Sequence, residues 1–250
     1  MSVVNKLLQE AIADNLIQIA ENQQKVFEAG KQAEYDNFWD SYQQNGNRKD
    51  YSMSFAKYWT DETFNPKYDF ILTNASSMFN NSTITTLASK LKEKGLKFDT
   101  SNFAVNGALQ MFQGSTIKDI PELDLRNCTN IGYLFGSGAL VETVEKLILT
   151  EKLTNVSNAF RQARNLKHCI FDGVLAITGL DMKDCKLLDK ESITSLVNIL
   201  STTTSGLAVT LSLQAVNKAF ETSEGANDGS NSTEWQTLVN TKKNWTINLS

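Results

Sequence analysis

Two observations predict an α/β repeat fold. The first 45 residues read as one long helix, and a phenylalanine-bearing motif then returns along the chain. In residues 3–45 proline is absent, Gly30 is the one glycine, and Leu, Gln, Glu, Ala and Lys dominate. These are good helix formers, and Asn45-Gly46-Asn47 supplies a stop. The motif is a small or polar stretch ending in an apolar residue and Phe, at Phe79, Phe112, Phe135 and Phe160. The intervals are 33, 23 and 25 residues. The last two fall within the period of leucine-rich repeats. The expected fold is therefore a long N-terminal helix, a short irregular leucine-rich-repeat solenoid, and a helix-plus-strand C-terminal cap. Its segments are 1–46 (helix), 47–70 (aromatic-rich junction), 71–186 (solenoid) and 187–250 (degenerate repeats).

The helix carries a heptad seam. With Ile12, Ile19, Val26 and Ala33 at position a, position d holds Leu8, Asn15, Asn22 and Ala29. Isoleucine at a with asparagine at d wastes burial unless the amides pack on copies of themselves about an axis. Buried polar residues in a seam fix register and oligomer state at a cost in stability. The Ile12/Asn15 and Ile19/Asn22 pairs resemble the asparagine layers of trimeric coiled coils in fibrous adhesins and phage fibres. One reading is thus a homotrimer whose seam is Leu8, Ile12, Asn15, Ile19, Asn22 and Val26. The other is an amphipathic helix lying on its own domain.

Residues 35–70 are rich in aromatics, from Tyr35, Phe38, Trp39 and Tyr42 to Phe64, Tyr68 and Phe70. A ligand platform, a nucleic-acid stacking surface and a packing junction compete. Stacking platforms need a basic groove, whereas Asp36, Asp40, Asp50, Asp61 and Glu62 interleave here. The junction is favoured, since a terminal repeat must be capped.

Short alternating apolar segments follow the later motifs: Ile117, Ile120, Leu123 and Leu125, then Val144, Leu147 and Leu149, then Leu166, Cys169 and Phe171. They read as strands. The insertion Ser82–Gly95 reads as a helix closed by Gly95. Asn74, Asn127, Asn130, Asn155 and Asn158 sit at or near turns, where an amide can bond backbone freed by the bend. The four phenylalanines are the expected core. Further on, Asp189 caps a helix from Lys190 to Leu200, Leu207–Leu211 is a strand, and Ser212 and Ser232 start two more helices. Trp245–Leu249 closes as a strand.

These residues resemble the BspA-like leucine-rich-repeat proteins of gut and oral bacteria and their phages. The repeats ending in an apolar residue and Phe are similar, as are Asp189–Asn198, Val209–Ser212 and Trp245–Ile247. Ile19–Lys31 and Tyr35–Asp40 look like a leader that precedes such repeats in phage-associated members. The resemblance implies adhesion and brings no catalytic residue with it.

Composition narrows the function. Net charge is -4 with Lys and Arg dispersed, so the basic footprint of a nucleic-acid binder is missing. No apolar run approaches ~18 residues, so no membrane insertion is expected. The first ten residues do not read as a secretory signal. Cys128, Cys169 and Cys185 are odd in number and form no CxxC pair, which points to buried thiols. His168, the one histidine, adjoins Cys169. Neighbours on a strand point to opposite faces, so Cys169 is expected inward and His168 outward. Asp181 and Asp184, near Lys183 and Lys186, read as a solvated turn, and Glu221, Glu224 and Asp228 as part of a loop.

No catalytic, cofactor or metal residue is expected. The leading function is a non-enzymatic tail-fibre or receptor-binding component of a phage or prophage particle. It would recognise a protein or glycan on a bacterial surface, beside other particle proteins. The alternatives are a surface-exposed or secreted bacterial adhesin and a structural decoration protein of a virion.

Overall fold

A computed structural model describes residues 3–42, 49–55, 59–221 and 229–250. In the first helix it leaves out the side chains of residues 3–11, 27, 28, 31, 32, 35 and 38–42. Several expectations lie outside the described residues: the Asn45-Gly46-Asn47 stop, the side chains of Leu8, Tyr35, Phe38, Trp39 and Tyr42, and Glu224 and Asp228.

The chain divides into two compact units, Met1–Gln44 and Asn45–Ser250. The first holds α1, Val3–Tyr42, a 40-residue helix. At 1.5 Å per residue such a helix runs about 60 Å.

The second unit corrects the expected fold class. It is a mixed α/β fold with small parallel sheets, not a leucine-rich-repeat solenoid. A solenoid of that kind carries one sheet along its whole length. Here the strands fall into three separate sheets. β1 (Phe70–Ile71) pairs with β2 (Phe98–Asp99). β3 (Asp119–Ile120) and β4 (Leu123–Asp124) both pair with β5 (Thr143–Leu149), and β5 pairs with β6 (His168–Gly173). β7 (Leu180–Met182), β8 (Leu207–Leu211) and β9 (Trp245–Leu249) make the third. The interruptions have local causes. Pro121 separates β3 from β4, because proline offers no N–H to a ladder. The 33-residue interval carries α2 (Ala88–Glu93), which ends before Gly95 at φ 66°.

Local stacking is nevertheless strong. Two residues before Phe55, Phe79, Phe112, Phe135 and Phe160 stand Met53, Ser77, Gln110, Tyr133 and Asn158, all at φ 54–57°. This left-handed position turns the chain sharply. The turns then bond each other. Phe55 N donates to Met78 O at 2.8 Å, Phe79 N to Met111 O at 2.9 Å, Phe112 N to Leu134 O at 2.9 Å, and Phe135 N to Ala159 O at 2.8 Å. Asp50, Asn74, Asn130 and Asn155 each accept, through Oδ1, the amide two residues on at 2.9–3.0 Å. Such side-chain turns compete with helix and fix the start of each bend.

The C-terminal part adds α3 (Lys190–Ile199), α4 (Leu213–Ala219) and α5 (Thr233–Asn240). Asp189, Ser212 and Ser232 cap them, accepting from Ser192 N, Ala215 N and Trp235 N. Each cap satisfies an amide that has no partner within the helix. Ile193, Leu196 and Val197 of α3 are buried.

Candidate functional site

The sequence-predicted residues separate into an exposed row on α1 and a buried column in the second unit. On α1, Ile12, Ile19 and Val26 are 53%, 52% and 73% exposed, and Asn15 and Asn22 are exposed. Leu16 and Ile17, which the seam did not include, are exposed as well. Ile12, Leu16, Ile19, Gln23 and Val26 follow helical spacing and share one side. Ile19, Asn22, Gln23 and Val26 line a shallow groove.

Phe79, Phe112, Phe135 and Phe160 are fully buried or nearly so, and their rings meet in order. The centroid distances are 5.4, 5.7 and 5.4 Å. Phe55 extends the column, 5.5 Å from Phe79. Sequence reasoning placed Phe55 in the aromatic junction. The signal was present: Asp50-Tyr51-Ser52-Met53-Ser54-Phe55 parallels Asn74-Ala75-Ser76-Ser77-Met78-Phe79, 24 residues on. Tyr51, Phe64 and Phe70 pack with Phe55, so this part of the aromatic stretch is core of the second unit.

Cys169 is buried and His168 is not. His168 Nδ1 lies 2.7 Å from Asp189 Oδ2. Asp189 Oδ1 accepts the Ser192 amide and hydroxyl, and Ser192 Oγ in turn accepts Cys169 N at 2.8 Å. This chain ties β6 to the start of α3. Burial opposes ionisation of Asp189, but the bonds from Ser192 and His168 prevail and hold its carboxyl below the usual range. Burial raises all three thiols, Cys128 to about 12. A thiolate is the nucleophilic form, so these cysteines are inert packing residues. Asp181, expected in a turn, lies in β7 and accepts Lys183 N at 3.0 Å, while Asp184 is in the turn that follows and accepts Gln162 N at 3.0 Å. Among the described residues no group of three His, Cys, Asp or Glu is placed to hold a metal ion, and no helix is long and apolar enough to cross a membrane.

One further feature went unmarked by the sequence. The turns after β2, β4, β5 and β6 line an open cleft of about 470 Å³. Its wall includes Ser101, Arg126, Asn127, Thr150, Lys152 and Val174. Asp124 grips the Arg126 guanidinium, with Nε at 2.9 Å and Nη2 at 2.6 Å. That fork, above all the side-chain bond from Arg126, holds the Asp124 carboxyl below its ordinary range. Asp124 and Arg126 stand two apart in an unremarkable strand end, so nothing in their spacing singles them out.

No family model, no curated protein and no solved structure matches the chain.

Proposed function

We propose that this chain is a non-enzymatic binding component of a phage or prophage particle, a tail-fibre-like part that recognises a bacterial surface. The exposed row on α1 carries the reading. A lone helix draws most of its stability from packing an apolar face. Ile12, Leu16, Ile19 and Val26 on α1 present such a face to solvent. Large apolar side chains set at helical spacing are a joining surface when they remain outside a core. Copies of the same chain are the natural occupants, because the residues that flank the row, Asn15 and Asn22 on one side and Ala13 and Ala20 on the other, carry no charge. Several copies held together would multiply a weak surface contact through avidity.

The second unit supplies the rigid part. A ring column fixed by backbone bonds between turns keeps its outer side chains in place, and preorganised surfaces lose less entropy on binding. The resemblance of Ile19–Lys31 and Tyr35–Asp40 to a phage-associated leader supports a particle setting over a free adhesin.

The test is an immunoblot and peptide mass analysis of purified particles from the source. Expected is the chain on the particle, in several copies, with binding of the isolated protein to host bacteria. Particles that lack it would overturn the proposal.

A further inference from the structure

β9 is an edge strand with one open side. It pairs with β8 through five successive residues without a bulge, and the sheet ends there. Ser250 N donates to Leu211 O at 3.0 Å, and Ser250 O accepts Leu213 N at 3.1 Å. Backbone groups turn alternately to the two sides of a strand. With Ser250 turned toward β8, Thr246 and Asn248 turn the same way, and Ile247 and Leu249 aim N–H and C=O outward. Among the described residues none of these four groups has a hydrogen-bond partner.

The same fold closes another strand edge with side chains. No strand lies beyond β6, and Ser192 and Ser195 on α3 take the Cys169 and Phe171 amides at 2.8 and 3.0 Å. Among the described residues nothing does this for β9. Exposed edges are usually guarded by charge, proline or a bulge, and Trp245–Leu249 has none of the three.

Beside this edge α5 and β9 frame an open groove of about 440 Å³. The buried Trp235 and Trp245 and the part-buried Val239, Ile247 and Leu249 give it apolar walls. Lys242 and Lys243 are the charged residues of its lining, and no carboxylate faces them there. Lys242 spends its ammonium on the Asn198 and Leu200 carbonyls, whereas Lys243 is exposed.

We propose that the β9 edge docks an extended segment of another protein, with apolar residues at alternate positions and a carboxylate at the end that meets Lys243. Outward N–H and C=O groups on alternate residues call for an added strand, because a helix has already paired its own backbone. Strand residues two apart share a face at about 7 Å, as Ile247 and Leu249 do. Alternate apolar residues of an added strand therefore continue that wall into the groove. A cation with no carboxylate beside it selects an acidic partner over a basic one. The site is independent of the particle role, since it needs no residue of α1.

The probes are acetyl-Asp-Thr-Val-Thr-Val-Thr-amide and the same residues in reverse order, titrated into the full chain and followed by amide chemical shifts. Controls carry Lys in place of Asp, or N-methyl groups on both valines and the threonine between them. At least one Asp peptide should shift the Ile247 and Leu249 amides with a Kd of roughly 0.1–1 mM. The N-methylated control should not bind, and the Lys control should bind about threefold more weakly. Lys243→Glu should reverse that preference with the thermal midpoint retained. Leu249→Pro removes one outward donor that pairing with β8 does not use, and should weaken binding about tenfold. If it fails to fold, Lys243→Glu carries the test. No shift with either Asp peptide, binding by the N-methylated control, or a preference that Lys243→Glu leaves unchanged overturns the site. So does a chain that still self-associates after Ile19→Glu and becomes monomeric with Leu249→Pro, since the edge then belongs to a second copy. Peptide binding by a chain absent from particles removes the particle role alone. A chain present on particles that binds neither Asp peptide removes the edge site alone.

Discussion

The rings of Phe79 and Phe112 lie 5.4 Å apart and within 5° of parallel, although 33 residues separate them in sequence. The next pair, Phe112 and Phe135, is separated by 23 residues and lies at nearly the same distance, 5.7 Å. The spacing in space is thus independent of the spacing in sequence. The longer interval holds α2 and is absorbed away from the column, so the ring contact and the backbone bond beside it fix the register.

Phe112→Ala should therefore remove a filled position with a ring on each side. A buried Phe→Ala change costs about 3–5 kcal/mol, against a total stability of roughly 5–15 kcal/mol. The urea midpoint should fall steeply, and Phe112→Leu should recover much of the loss. A midpoint within error of wild type for Phe112→Ala would show that the column is not a cooperative core.

Asp189→Ala should destabilise the start of α3 by about 1 kcal/mol, the usual worth of an N-cap. The effect has a pH signature. Asp189 has a carboxyl pKa below its ordinary 3.8. Its contribution is fully present above that ordinary value and is lost as pH falls through the folded one. The gap between wild-type and Asp189→Ala urea midpoints should close as pH falls from about 5 toward 3. A gap that persists unchanged at pH 3 rejects the assignment.

The sequence made these local features legible and left the fold class unreadable, for a physical reason. Asp189, Ser212 and Ser232 announce their helices because an N-cap is a single-residue signal set by nearby amides. Ile120, Val144 and Cys169 alternate as strand residues do, and they align across β3, β5 and β6. Whether short strands join into one sheet depends on long-range pairing. Beside β6 the side chains of Ser192 and Ser195 on α3 take the Cys169 and Phe171 amides, so α3 and not a strand follows there, and no periodic pattern records that exchange. The cleft at Arg126 was equally hidden, since its members come from turns about 24 residues apart that only stacking brings together. The α1 row was visible because helical spacing is local, although Leu16 and Ile17 fell outside a strict heptad.

The thiols offer a direct check on burial. Cys128, Cys169 and Cys185 are buried and free, and burial keeps each protonated well above neutral pH. In native buffer at pH 8 they should react with a thiol reagent only as fast as the chain opens. Full reactivity should appear in denaturant. Rapid labelling of any one in the folded chain contradicts its placement.

Ile19→Glu tests the α1 row. If copies of the chain join there, a carboxylate among Ile12, Leu16 and Val26 leaves a charge that association would have to bury, costing several kcal/mol. The wild-type chain should show a multiple of 27.8 kDa by light scattering, and the variant 27.8 kDa. Its helical ellipticity should also fall, because a helix without a packed face is marginal in water. A wild-type mass of one chain at high concentration ends the self-association reading.

Lys242 is the last case and the least expected from composition. A lysine is almost never fully buried without a partner, yet Lys242 is 8% exposed. Its Nζ donates to Asn198 O at 2.8 Å and Leu200 O at 2.7 Å, the carbonyls at the end of α3. A helix C-terminus carries partial negative charge, so an ammonium there is favoured, while burial still lowers its pKa from the ordinary 10.5. Lys242→Met keeps most of the stem packing and removes the donor. The buried Leu200 carbonyl and the part-buried Asn198 carbonyl then lose a charged partner, at a cost of about 1–3 kcal/mol. The urea midpoint at pH 7 should drop accordingly, with amide exchange at Leu200 and Ser201 accelerated. If neither changes, water replaces the ammonium without loss, and the contact is not what anchors the residues before β9 to the end of α3.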